Sequence, residues 1–235
     1  MTWKLADLAD AVNSKFGADQ RNLLVPVLQS ITDRRGFASF HHQQARKLIT
    51  PHLVDKDNAD RLKLEVGVSA DNGASYRIAK QQACAHIVAS LQSVHCLADT
   101  LAHVIYFSLG LNLSSHKAHK ERDISLPWME KVLGKLPDLG EISHAVVQLK
   151  DHEDFRYLDD VVNRSKHRSV VRAGVTQHLD ESAQTPWTLE LQSFERESTA
   201  IPHPSRPVDP FFTEEFSRQT RLTFEICQLL STTAQ

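Results

Sequence analysis

The chain has 235 residues, 41% of them hydrophobic and 24% charged, with a formal net charge of −2. That length and composition suit a folded chain able to bury most of the surface its unfolded form exposes. The sequence pI near 6.7 excludes a global basic field, so any polyanion must be held by a local patch.

In chain order, Leu5, Leu8, Ala9 and Val12 recur at helical spacing. Leu23, Leu24, Val27, Leu28 and Ile31 repeat it, with Pro26 near the start of that second helix. Gly36 opens a third segment, Phe37–Ile49, which Pro51 is expected to end. Asp55–Val66 is a shorter helical candidate, and Ser69–Ser75 (SADNGAS) is loop chemistry around Asn72-Gly73. From Tyr76 to about Leu109 no proline or glycine intervenes. Ile87, Leu91, Val94, Ala98, Leu101 and Ile105 alternate there at spacings of four and three, a heptad-like seam. A helix of this length runs roughly 50 Å at about 1.5 Å per residue. Burial in a bundle core is the expected use of its seam.

Asn112–Arg122 is polar, carries His116 and His119, and reads as a loop. Asp123–Pro127 leads into a helix through a first-turn proline, with Trp128, Val132, Leu133 and Leu136 apolar and Pro137 as its stop. Leu139–Leu149 and Phe155–Arg168 are two more helices. The period then changes. Val170–Leu179 and Trp187–Phe194 tend to alternate with a period of two around polar Asp180–Pro186, which predicts two antiparallel strands. Ile201–Pro210 contains four prolines and must be extended, and Phe211–Leu230 closes the chain as a helix.

The expected fold is all-α: a multi-helix antiparallel bundle around a long central helix, with a small two-stranded β-hairpin before the C-terminal helix. Residues 1–68 supply N-terminal helices, either as a separate cap or packed on the same core. Residues 75–235 form the main bundle, with the hairpin at about 170–194. Cys84, Cys96 and Cys227 are odd in number and lack paired spacing, as in a reducing compartment. Asp7 and Asp10 interrupt the apolar run a secretion signal needs. Leu101–Leu113 is too short to span a bilayer and contains His103. A cytoplasmic protein with no membrane contact is expected. Thirteen histidines is high for this length, and most are expected to be exposed.

The segment Phe155–Arg168 (FRYLDDVVNRSKHR) carries the most chemistry. On a helix, Phe155, Leu158, Val161 and Val162 share one side, while Arg156, Asp160, Asn163 and His167 form a stripe opposite. His167 is the candidate acid/base, because an imidazole gives or takes a proton near neutrality. Asn163 is placed to orient a water or hold a phosphate oxygen. Arg156, Arg164, Lys166 and Arg168, with Arg172 beyond them, supply positive charge for a polyanion. Asp160 can instead pair with Arg164 at i,i+4. The competing structural reading makes Lys166, His167 and Arg168 partners of the helix dipole and the last carbonyls.

Asn163, Lys166, His167 and Arg168 spell N-x-x-K-H-R after a YLDD stretch. This resembles a signature of uncharacterised bacterial helical proteins related to the higher eukaryotes and prokaryotes nucleotide-binding (HEPN) superfamily. The resemblance covers residues 75–168 and the last helix. It implies a helical bundle, often dimeric, that binds RNA or a nucleotide. Many members are metal-independent ribonucleases, and others are inactive binding modules. Active members resemble one another in an arginine and a histidine separated by four to six residues. Arg164 and His167 have only two residues between them, whereas Arg172 and His178 have that gap but fall in an expected strand.

His95, Asp99 and His103 stand at i, i+4 and i+8 on the long helix, residue types that suit a transition metal. The outer two lie about 12 Å apart along the axis, so a site needs a ligand from a neighbour. His41-His42 and His116-x-x-His119 are weaker candidates. There is no glycine-rich phosphate loop, G-x-S-x-G, paired C-x-x-C or H-E-x-x-H, and no cofactor is expected. The sequence therefore predicts an RNA- or nucleotide-binding bundle using Asn163, Arg164, Lys166, His167 and Arg168, with cleavage as an open extension. The alternative is a non-enzymatic homodimeric module built on the long helix. Salt separates the two, because phosphate binding weakens steeply as salt rises and an apolar interface does not.

Overall fold

The computed structural model describes residues 4–68, 73–114, 120–177, 187–196 and 201–233. Among them are the α-helices α1 (Leu5–Phe16), α2 (Ala18–Leu53), α3 (Asn58–Glu65), α4 (Gly73–Ser108), α5 (Leu126–Leu133), α6 (Gly140–Lys150), α7 (Glu153–His167) and α8 (Val208–Thr233). The strands are β1 (Ala173–Gln177), β2 (Trp187–Leu191), β3 (Phe194–Arg196), β4 (Ile201–His203) and β5 (Arg206–Pro207). The fold is mainly helical, with the expected hairpin before the last helix.

Local chemistry accounts for most boundaries. The Asp7 carboxylate accepts from the Lys4 backbone N–H at 2.7 Å and closes the start of α1. Gly17, at φ 89°, turns the chain into α2 where a side chain would be strained. Asp57 caps α3 through Asp60 N–H at 2.8 Å. Ser125 caps α5, with Pro127 in the first turn.

Three expectations need correction. Gly73, Ala74 and Ser75, read as loop, already begin α4, and the rest of that loop, 69–72, lies outside the described residues. The helices drawn on either side of Gly36 are one 36-residue helix, α2, which also runs through Pro26 and Pro51. Leu24, Leu28, Ile31, Ala38, Ala45, Ile49 and Leu53 are all buried, and their spacing carries one apolar face straight through the glycine. A helical glycine costs about 1 kcal/mol, less than that burial contributes. The proline-rich segment is extended only to Pro207. Val208, Asp209 and Pro210 already form the first turn of α8, where proline is tolerated.

The hairpin pairs β1 with β2 antiparallel, Ala173 opposite Leu191 through Gln177 opposite Trp187. β5 adds to the far side of β2, giving the order β1-β2-β5. β3 and β4 make a separate two-stranded ribbon, Phe194 opposite His203.

The chain divides into two compact units. Unit 1 is Met1–Gly36, Ser93–Arg156 and Glu215–Gln235, and unit 2 is Phe37–Gln92 and Tyr157–Glu214. Residues 1–68 therefore contribute to both. Unit 1 holds a contiguous apolar core in which Leu8, Val12, Leu24, Ile31, Leu97, Leu101, Ile105, Val146 and Leu149 are fully buried. Gly110, at φ 62°, closes the end of α4 against the Phe16 ring, which stands 2.9 Å from where a Cβ would sit. In unit 2 the inward faces of α2, α4 and α7 meet residues of the strands and the start of α8, with Leu53, Tyr76, Ile87, Leu158, Leu191 and Phe211 among the most buried.

Candidate functional site

The amphipathic division of α7 is as expected except at Asp160, which the stripe placed on the exposed side. Phe155, Leu158, Val161 and Val162 are buried, whereas Arg156, Asn163 and His167 are exposed. Glu153 and Asp154 lie in its first turn, and Arg164, Lys166 and His167 in its last, each complementing the helix dipole. The Arg168 and Ser169 N–H groups both donate to the Arg164 carbonyl and close the helix end.

Asn163, Arg164, His167 and Arg168 line one open cavity of about 350 Å³ at this end of α7. Asp159, Asp160 and the β3 residues Glu195 and Arg196 complete its wall. Three guanidiniums thus face three carboxylates, and His167 is the remaining titratable group. Two predicted members are elsewhere. Lys166 does not line the cavity, and Arg156, in unit 1, lies 3.4 Å from the Asp151 carboxylate.

Asp160 does not pair with Arg164. It turns inward, with 10% of its side chain exposed; Arg196 Nε lies 3.1 Å from Oδ1 as an ion pair, and His203 Nε2 lies 2.9 Å from Oδ2. β3 and β4 supply those two partners in place of the exposed i,i+4 contact. The His203 ring stacks on Phe194 at 4.6 Å and meets Tyr157 edge-on at 5.3 Å. Burial pushes the Tyr157 hydroxyl up to about 12, against the opposing pull of Arg206. Arg164 instead donates to the Glu195 carbonyl at 2.8 Å and ties the helix to β3. The Asn163 amide donates to Asp159 at 2.9 Å. The His167 side chain has no hydrogen-bond partner among the described residues.

The expectation that most histidines are exposed fails. Of the ten described, only His144, His152 and His167 are exposed; His116, His119 and His178 lie outside the described residues. In unit 2, His42 Nε2 lies 2.8 Å from Asp209, which also accepts from Arg46 at 2.6 Å. Burial alone would raise the Asp209 pKa, but His42 and Arg46 outweigh it and hold the carboxyl below its ordinary value. His41 and His86 bring their Nδ1 atoms within 2.8 Å, and burial, aided by His86, lowers the His41 pKa. Neither pairing had a sequence signal, because each joins residues 45 or more positions apart.

On α4, His95 is buried with its ring stacked 6.1 Å from Phe155, while His103 Nδ1 lies 3.0 Å from the Asp99 carbonyl of its own helix. These metal candidates do not converge. Among the described residues, the one three-residue set whose ligand atoms lie within 4.8 Å is His152, Asp154 and Glu215 in unit 1. Arg218 grips both Glu215 oxygens at 2.7 and 2.8 Å and donates to the Gln148 and Leu149 carbonyls. That group is an ion-pair network capping α6, and the guanidinium opposes a cation there.

The chain matches no known family model, no curated protein and no solved structure.

Proposed function

We propose that unit 2 is a binding module that takes a phosphate group of RNA or a nucleotide in the cavity at the C-terminal end of α7. The observation that carries this reading is the convergence of Asn163, Arg164, His167 and Arg168 on one open cavity, joined there by Arg196. Planar guanidiniums suit bidentate phosphate contact, and imidazole and amide groups add single hydrogen bonds. Arg196 already faces Asp160, and Arg164 holds the Glu195 carbonyl. His167, exposed and with no side-chain partner among the described residues, is therefore the side chain best placed to respond to a ligand, and Arg168 adds a third guanidinium to the cavity wall.

Binding is favoured over cleavage. A catalytic imidazole is oriented by a third group, and among the described residues no carboxylate holds His167 as Asp160 holds His203. The resemblance to HEPN proteins supports an RNA or nucleotide ligand, and its inactive members support a module without turnover. A homodimer built on the α4 seam is the weaker reading. Ile87, Leu91, Val94, Ala98, Leu101 and Ile105 are all buried within their own chain and leave no apolar stripe for a partner.

Fluorescence anisotropy with a labelled single-stranded RNA tests the proposal at about 50 and 200 mM salt. Binding should weaken as salt rises. Arg168→Ala should cost about tenfold in affinity and reduce the salt slope by about one contact. Absence of RNA and nucleotide binding by the wild type overturns it.

A further inference from the structure

Unit 2 holds a second, larger cavity of about 1250 Å³. Arg77, Lys80 and Cys84 of α4 form one wall, and Arg172 with residues of β1 and β2 forms the other. Arg77 and Arg172 are exposed, and neither guanidinium has an ion-pair or hydrogen-bond partner among the described residues. Lys80 is held by Glu65, so the two guanidiniums face Glu190 as the one carboxylate of the wall.

The two cavities adjoin. Arg168 lines the first, and Val170 and Arg172, on the same segment, line the second. Ser193 lines the second and Glu195 the first. On both segments the walls are two residues apart, at most about 7 Å of extended chain. That distance is comparable with one nucleotide step of an extended strand. An unpartnered guanidinium on each side of the larger cavity, next to an arginine-lined smaller one, makes a track longer than one phosphate requires.

Building on the phosphate reading above, we propose that the ligand is a single-stranded oligonucleotide, whose phosphates pass from the α7 cavity into the groove, where Arg77 and Arg172 take them. Val88, Val170 and Val175 give the groove an apolar surface for bases, and no base-specific contact is implied.

The test measures affinities of the full chain for uridine monophosphate and for oligouridylates of two, four and six nucleotides. Affinity should rise at least about tenfold between monophosphate and hexamer, and the hexamer's salt slope should be steeper by about 0.7 for each added contact. The double variant Arg77→Ala/Arg172→Ala should keep the monophosphate affinity and lose most of the gain with length. Arg77→Lys/Arg172→Lys should recover part of it, which separates charge from folding. Monophosphate binding without a length gain in the wild type overturns this inference and leaves the phosphate reading standing. So does a length gain that survives the double alanine variant in folded protein. Equal affinity for a length-matched oligoglutamate would assign the groove to an acidic peptide and also overturn it. A wild type that binds none of these ligands overturns both readings.

Discussion

The two units use the same kinds of helix differently. Unit 1 fills its interior mainly with aliphatic side chains, and Arg218 closes the end of α6 there. Unit 2 joins helix to helix and helix to strand through polar pairs: His42 with Asp209, His203 and Arg196 with Asp160, and Lys80 and Tyr76 with Glu65. Aliphatic packing tolerates few voids. Strands of only two to five residues, held by directional contacts, leave room between them. Both cavities that carry the functional reading lie in unit 2, whereas unit 1 has an open hollow of about 320 Å³ beside His103. The proposed binding thus falls in the unit where polar groups join the elements.

That contrast can be broken by mutation. The largest effect is expected in unit 1, where Leu101 is fully buried. Leu101→Ala should cost about 2–5 kcal/mol in urea unfolding and leave oligonucleotide affinity of the folded fraction unchanged. A loss under about 1 kcal/mol would mean that the core is not the tight cluster described. In unit 2, Asp160→Ala leaves His203 and Arg196 without their partner. With Arg196 43% exposed, a loss of about 1–3 kcal/mol is expected. Asp160→Asn should cost less, because the amide still accepts one hydrogen bond. Equal effects of the two variants would reduce the role of Asp160 to its charge.

The Asp209 contact sharpens the comparison through pH. Its folded pKa is held below the unfolded value of 3.8, so the folded state binds this proton less readily than the unfolded chain. The stabilisation is therefore fully present above 3.8 and is lost as pH falls through the lower folded value. Thermal melts from pH 6 to about pH 2 should show Asp209→Asn lowering Tm at pH 6 and converging on the wild type at the acid end. A constant difference across the range would remove the charge from the explanation. The smallest effect belongs to His167. His167→Ala should change stability by no more than about 0.5 kcal/mol, since the side chain is exposed without a hydrogen-bond partner among the described residues, while weakening RNA binding. A large stability loss would instead identify His167 as a cap of α7.

Legibility in the sequence followed the range of the interaction. The α7 faces were readable because Phe155, Leu158, Val161 and Val162 are related by one helical period. The same holds for the α4 seam and for the two strands of the hairpin, where each alternation lies within ten residues. α2 was misdivided because Gly36 was weighed by its own propensity, while the apolar face from Leu24 to Leu53 continued past it. The grouping of Asn163, Arg164, His167 and Arg168 was legible for the same local reason. Its other wall, Glu195 and Arg196, was not, because it arrives on a strand some thirty residues later.

What the sequence determined by itself is the helices other than α2, the hairpin and the basic end of α7, all consequences of short-range periodicity and turn chemistry. Only the tertiary structure decided that Asp160 serves Arg196 and His203, that Arg164 binds a strand carbonyl, that seven of ten described histidines are at least partly covered, and that Arg172 and Arg77 line one groove. A polar side chain takes whichever partner folding brings within about 3 Å, and along the chain nothing marks which residue that will be.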